Sequence, residues 1–295
     1  MAWWRILRRR YRINNQPNKR PDRRQPQQPQ PQQPQRPKLS RETLCALLTT
    51  PMTVQLHEQV TSTNTLCREA AAAGAEEWTV VVAASQTAGR GRQGHTFWSP
   101  DDSGVYLSLL VRPDLPIDTV ITTLTPLAAV AAARAVETIS DRRADIKWVN
   151  DVYCDKKKVC GILVDGHPDA QTDRFSYAVV GVGFNVFSPE GGFPEEIRDR
   201  AGAILSEPSA WARERLAAAF LNEFRALYDA LPMAAFHEEY TRRALRLGRS
   251  VNVPTERGDR AARVLDVTKR FELRVQFEDG TVHDLNAGDV SVRFA

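Results

Sequence analysis

Thr87-Ala88-Gly89-Arg90-Gly91-Arg92-Gln93-Gly94 sets two arginines among three glycines, directly after the apolar run from Trp78 to Ala84. Glycine lets the main chain approach a ligand closely. Each guanidinium is a planar, permanently charged fork that matches phosphate or carboxylate oxygens. Launched from a strand, such a loop suits closure over an anionic, phosphate-bearing reaction centre, although a solvated turn has the same composition. A second segment, Lys147-Trp148-Val149-Asn150-Asp151, continues through Lys156-Lys157-Lys158 to Gly161-Ile162-Leu163-Val164-Asp165. It reads as a strand, a polar turn, a strand, a basic turn and a buried strand. A third, Val179 to Val186, alternates Gly181 and Gly183 with apolar residues and ends in Asn185. Its glycines permit close backbone or ligand approach. It is not a dinucleotide fingerprint, because no third glycine opens a helix after it.

Holding these groups in place requires a frame, and the apolar pattern supplies one. Val54 to Val60 reads as a strand. Thr61 or Ser62 then offers a helix N-cap, with Leu66, Ala70 and Ala73 on one face and Gly74 as the stop. Trp78–Ala84 and Val105–Val111 read as buried strands. Ile121–Ile139 is an Ala-rich helix in which Pro126 is either tolerated near the start or a kink. Strands follow at 145–149, 151–154, 159–165 and 175–185, then amphipathic helices at Trp211–Ala230 and Met233–Leu245. The expected class is α+β, a mixed sheet with packed helices. After Gly248 the pattern changes to short strands, Val251–Val253, Arg260–Thr268, Glu272–Phe277, Thr281–Leu285 and Val290–Phe294. Glu278-Asp279-Gly280-Thr281 is a hairpin signal among them. These elements predict a small β-barrel over 247–295, following a larger domain over 39–246.

Composition narrows the classes further. The 295 residues are 42% hydrophobic, enough for one large domain and a small one. No apolar run reaches the ~18–20 residues of a membrane span. Cys45, Cys67, Cys154 and Cys160 show no C-x-x-C pairing and no secretory leader precedes them, so reduced thiols and a cytoplasmic location are expected. The five histidines are scattered, and no protein-ligated metal is expected. Residues 1–38 carry nine Arg and two Lys against Asp22 alone, a net of +10, which leaves −6 on the remainder of a chain whose total is +4. The basic balance therefore belongs to the tail. Residues 14–38, rich in Pro and Gln, predict an extended solvated linker. Residues 3–13 (Trp3, Trp4, Ile6 and Leu7 among arginines) fit a short basic amphipathic helix for an anionic membrane, nucleic acid or targeting. A functionless extension or misassigned start is the commoner fate of such biased termini and is the favoured reading, and the absence of serine counts against a transit peptide.

Taken in order, the motifs resemble the biotin–protein ligase family. Ser62-Thr63-Asn64, Gln86 through Gly94, Lys147 to Asp151, Lys158 ahead of Gly161-Ile162-Leu163, and Gly181 to Asn185 carry the resemblance, which spans roughly residues 53 to 295. Val149 departs from the proline usual in that family. The resemblance implies a catalytic domain like that of class II aminoacyl-tRNA synthetases, followed by an SH3-like barrel. No helix-turn-helix pattern precedes residue 40, which implies the ligase-only type without a DNA-binding domain. It implies ATP-dependent formation of biotinyl-5′-AMP and transfer of biotin to a lysine of a biotin carboxyl carrier domain of the acetyl-CoA carboxylase type, with Mg²⁺ held mainly by ATP. A homodimer is compatible with the family, and the sequence leaves the oligomeric state open.

Carried over residue by residue, Lys158 bridges the biotin carboxylate and the α-phosphate, with Arg90 and Arg92 as further cations. Asp151 orients Mg²⁺ or the acceptor lysine, or else closes an Asx-turn. Ser62, Thr63, Asn64 and Gln86 pair with the ureido ring, with helix capping an alternative for the first two. Gly91 belongs to the biotin-side loop, and Gly161 leaves room for the ligand tail or simply packs. Arg92, Lys158 and Asn185 face the nucleotide, and either Phe97 or Trp98 stacks on adenine. The rival readings are a lipoate–protein ligase or octanoyl transferase, related in fold, and a nucleic-acid-binding protein acting through the tail.

Overall fold

In one sheet, seven strands run in the order β1-β2-β3-β7-β6-β5-β4, and every pairing is antiparallel except β1 with β2. The computed structural model describes residues 38–101, 103–231, 236–245, 247–255, 258–286 and 293–294, all within one compact unit. The tail expectations for 1–37, and the starts of the predicted 233–245 helix and last strand, lie outside the described residues. The strands are β1 Thr53–Val60, β2 Thr79–Gln86, β3 Gly104–Val111, β4 Asp145–Lys147, β5 Asp151–Cys154, β6 Lys157–Pro168 and β7 Phe175–Asn185. The helices are α1 Arg41–Ala46, α2 Thr63–Ala72, α3 Ile117–Ile139, α4 Ala212–Asp229 and α5 His237–Arg243.

Strand alternation decides what each face of the sheet meets. Val80, Val82, Leu107, Leu109, Val180, Val182, Cys160 and Ile162 join one core with α3 and α4. Their neighbours Val81, Leu110 and Val179 turn to the other face and pack on Cys67 and Ala71 of α2. β3 is buried along its whole length, which explains its near-continuous apolar run. Ser108 is the polar exception, and alternation puts it on the α2 face. The same face receives Gly181 and Gly183 of β7 and Gly161, Leu163 and Asp165 of β6. α2 is only ten residues long and covers part of that face. The rest lies under the segment between β2 and β3.

Several boundaries differ from the sequence reading. The predicted strand 145–149 stops at Lys147; 148–150 are a turn, and the Trp148–Val149 peptide is cis. α3 begins at Ile117, with Pro116 at its N-cap, and continues through Pro126. It is long and apolar enough to cross a membrane by composition, but 72% of that window is buried in the core. α1, six residues capped by the Ser40 side chain on Thr43 N, was not expected.

The C-terminal strands β8 Ser250–Thr255, β9 Gly258–Val267, β10 Leu273–Phe277, β11 Val282–Leu285 and β12 Arg293–Phe294 form a second sheet, in the order β11-β10-β9-β8-β12. All its pairings are antiparallel. Leu273, Val275 and Phe277 of β10 point inward and alternate with exposed Arg274 and Gln276, and Val253 and Val264 are buried in the same core.

Candidate functional site

Two hydrogen-bonded groups meet on the α2 face, and each holds one arginine of the 87–94 loop. The first starts at the α2 N-terminus. Ser62 is the N-cap residue and is buried, but its side chain makes no capping bond, so simple capping does not account for it. Gln86 Oε1 accepts from Thr63 N at 2.9 Å and from Thr63 Oγ1 at 3.2 Å, while Gln86 Nε2 donates to Ser99 Oγ at 2.9 Å. Ser108 Oγ lies 2.8 Å from Thr63 Oγ1 and 2.7 Å from Asn64 Oδ1; its single proton serves one of the two. Asn64 Nδ2 donates to Asp165 Oδ2 at 3.2 Å, and Asp165 Oδ2 pairs with Arg90 Nη1 at 3.5 Å. Paired donors and acceptors in a buried setting are what a neutral polar ring needs for recognition. Gly181 makes this packing feasible: a Cβ there would sit 1.8 Å from Asn64 Oδ1.

The second group gathers around Asp151. Lys158 Nζ is 2.6 Å from Asp151 Oδ1, and Arg92 Nη1 donates to Asn150 Oδ1 at 3.2 Å. Asn150 is itself fixed by Nδ2 donating to Ile162 O at 2.9 Å and by its carbonyl accepting from Ile162 N at 3.0 Å. Burial pushes the Arg92 guanidinium below its ordinary range, opposed by Asp151 and Tyr240. Burial likewise depresses the Lys147 ammonium, opposed by Asp151 and reinforced by Lys158 and Arg200. Arg92, Lys147 and Lys158 thus crowd one carboxylate, an arrangement that a polyanion would complete.

Between the groups lies a floor of bare backbone. Gly161 and Gly183 are direct cross-strand partners. A Cβ on Gly183 would come within 2.5 Å of the Phe97 ring, and one on Gly161 within 2.8 Å of it and 3.1 Å of Lys158 Nζ. Phe97 therefore lies over the glycines, with Lys158 Nζ 5.8 Å from its centroid. The slot is filled by this side chain rather than open. A cavity of about 650 Å³ lies elsewhere, between α5 and the turn after β9, and is lined by groups such as His237, Thr268 and Lys269; it holds none of the motif residues. Trp98 points to Phe193 instead, edge-on at 6.0 Å. Asn185 Nδ2 reaches Lys158 O at 3.4 Å, on the Lys158 side of the floor. Gly91 accompanies the turn, its N–H bonded to His95 O at 2.7 Å.

All the predicted residues fall on this face or its loop. The sequence reading missed Ser108, Asp165, Asn150 and Lys147 as site groups. Ser108 had a signal, a lone hydroxyl in a buried apolar strand. Asp165 had none beyond closing the Gly-Ile-Leu-Val run. Among the described residues no cluster of three or more His, Cys, Asp or Glu could hold a metal.

Residues 56–185 match the model of the Biotin/lipoate A/B protein ligase family. A bifunctional ligase/repressor of Bacillus subtilis is 39% identical over 148 residues, half of this chain and 45% of that relative. A biotin–[acetyl-CoA-carboxylase] ligase of Mycobacterium tuberculosis is 31% identical over 79% of this chain and 86% of its own. The solved biotin protein ligase of Aquifex aeolicus, in complex with biotin and ATP, superposes with a TM-score of 0.69 at 25% identity, covering 82% of this chain and 99% of that one.

Proposed function

The chain belongs to the biotin/lipoate A/B protein ligase family, and from that premise we propose that it activates biotin with ATP and transfers it to a lysine of a biotin carboxyl carrier domain. The observation that carries this is the crowding of Lys158, Arg92 and Lys147 on Asp151 beside a glycine floor. In the first step a biotin carboxylate oxygen bonds to the α-phosphorus, the bond from that phosphorus to the bridging oxygen breaks, and pyrophosphate leaves. No proton moves, so the residues need only orient and neutralise. Lys158 lies between the two anions and offsets their repulsion. Arg92 exchanges the neutral Asn150 amide for phosphate oxygens, a stronger charge-assisted pairing. Arg90 closes over the biotin side from Asp165. Ser62, Thr63, Asn64 and Gln86 supply the ureido contacts, and Asn185 faces the nucleotide. Phe97 leaves the floor when biotin enters and is then placed to stack on adenine. Mg²⁺ bound with ATP would neutralise phosphate charge, and it would take its ligands mainly from phosphate and water oxygens. In the second step the neutral acceptor amine attacks the carbonyl of the mixed anhydride, AMP leaves, and the amine loses a proton; Asp151, released from Lys158, orients that amine.

The C-terminal sheet is read as the family's SH3-like barrel, on the strength of five antiparallel strands with an alternating apolar interior. The unpaired cysteines agree with a cytoplasmic setting. The test is the intact mass of a biotin carboxyl carrier domain after incubation with the protein, MgATP and biotin. A gain of one biotinyl group is expected. Parallel reactions with lipoate and octanoate separate the related ligases, and modification by either acid in preference to biotin would overturn the reading.

A further inference from the structure

The turn 148–150 adjoins the partners of two cations: Asn150 accepts from Arg92, and the next residue, Asp151 at the start of β5, pairs with Lys158. Two buried hydrogen bonds from outside the seven-stranded sheet fix that turn. Trp148 Nε1 donates to Phe271 O at 2.8 Å, and Tyr240 Oη donates to Val149 O at 3.3 Å. Phe271 belongs to the turn between β9 and β10 of the C-terminal sheet. Its backbone is left-handed, φ 60°, and its N–H is bonded to Thr268 O at 2.8 Å. Its ring stacks on Phe236 at 5.2 Å and meets Tyr240 edge-on at 5.4 Å. His237 Nε2 is 2.8 Å from Thr268 O. A carbonyl only accepts, so that nitrogen carries the proton and the turn is tied to α5 as well.

We propose that the Phe271 carbonyl and the Tyr240 hydroxyl, acting through Trp148 and Val149, are positioning groups for adenylation: the C-terminal sheet sets where Arg92 and Lys158 stand. Neither group touches the reacting atoms. Their effect is on the placement of the phosphate-side cations and not on the ureido set, which hangs from α2, β2 and β3. An exposed tryptophan in a turn needs no such partner. A buried indole N–H spanning 123 residues of sequence to reach one carbonyl ties two parts of the chain that share no sheet.

The inference rests on the ligase reading, and wild-type pyrophosphate exchange that does not respond to biotin would remove that reading first. Given a responsive wild type, Trp148→Phe keeps a ring and deletes the donor, and Tyr240→Phe deletes the hydroxyl alone. Each is expected to lower kcat/KM for MgATP in biotin-dependent exchange by about 10-fold to 100-fold, the scale of a misplaced catalytic group. Biotin affinity measured calorimetrically without ATP is expected to fall by a smaller factor than kcat/KM, because only the Lys158 contact with the biotin carboxylate is disturbed and the ureido contacts are not. Phe271→Asn retains a left-handed backbone but loses the ring packing, and is expected to reproduce the defect without adding to that of Trp148→Phe. Unchanged exchange, an equal loss of biotin affinity, or additive defects in the double variant would each overturn the proposal. If Trp148→Phe does not fold, Tyr240→Phe carries the same expectation and the same refutation.

Discussion

Removing the Lys158 ammonium separates its electrostatic role from its part in stability. In Lys158→Ala, Asp151 loses a partner at 2.6 Å, in a pair whose side chains are 27% and 16% exposed. Breaking a fully buried pair costs about 3–5 kcal/mol. Here water reaches the lysine, and Arg92 and Lys147 remain close enough to act on the orphaned carboxylate. The stability loss should therefore be about 1–2 kcal/mol, a fall in Tm of roughly 2–8 °C for a domain of this size. The loss in the chemical step should be larger. A cation placed between a carboxylate and a phosphate acts as the charges converge, and losing such a donor costs about 2.7–4 kcal/mol, roughly 10²–10³ in rate. The assay is biotin-dependent exchange of labelled pyrophosphate into ATP, run beside thermal unfolding, with Lys156→Asn as the comparison because that exposed residue has a left-handed backbone that asparagine tolerates. Exchange in Lys158→Ala that is no weaker than in Lys156→Asn would refute the reasoning.

Gly181→Ala should drive Asn64 from its place, because the new methyl would sit 1.8 Å from Asn64 Oδ1. We expect a loss of about 1–3 kcal/mol in stability and about tenfold or more in biotin affinity; calorimetry showing wild-type biotin binding would contradict this. Acid stability should depend on Arg243. Its hydrogen bonds hold Glu137 below the ordinary 4.5, and for Glu239, where burial alone would raise the value, Arg134 and Arg243 outweigh it and lower it. Folded values below the unfolded one mean stability that is present above pH 4.5 and lost as pH falls through the folded values. Arg243→Met should thus begin to unfold at higher pH than wild type, and coincident acid transitions by circular dichroism would count against it. Burial pushes Cys67 up to about 12, Cys154 to about 11 and Cys160 well above the usual thiol range. Thiol titration at neutral pH should therefore find one fast group, half-buried Cys45, against four after denaturation; two or more fast thiols in the native protein would be inconsistent with this core.

What the sequence disclosed was whatever is local. The Arg/Gly loop, the Lys147–Asp151 segment and the Gly181–Asn185 strand could be recognised because each is contiguous, and strand alternation follows from two-residue periodicity. The sheet order was hidden, since placing β7 beside β3 depends on contacts between distant residues. So was Asp165: only the α2 face brings it to Asn64 and Arg90. Lys147 could be quoted as a motif residue, but its burial beside Asp151 is tertiary. α1 escaped notice because six residues are too few to display a helical period. The strand assigned to 145–149 ended early because Trp148 turns to the C-terminal sheet, a partner that local propensity does not register.

Gly161, Gly181 and Gly183 carry a consequence for how such a binding site diversifies. A recess floored by main chain is already at its deepest there: every substitution adds atoms and none removes them. Those three positions can only reduce the range of acids admitted. New preferences must be written in the walls, at the start of α2, in the segment carrying Phe97 and around Asp165, where side chains can shrink as well as grow. Selection on ligand choice in this scaffold is therefore asymmetric: the base can only be filled, while the sides can change in either direction.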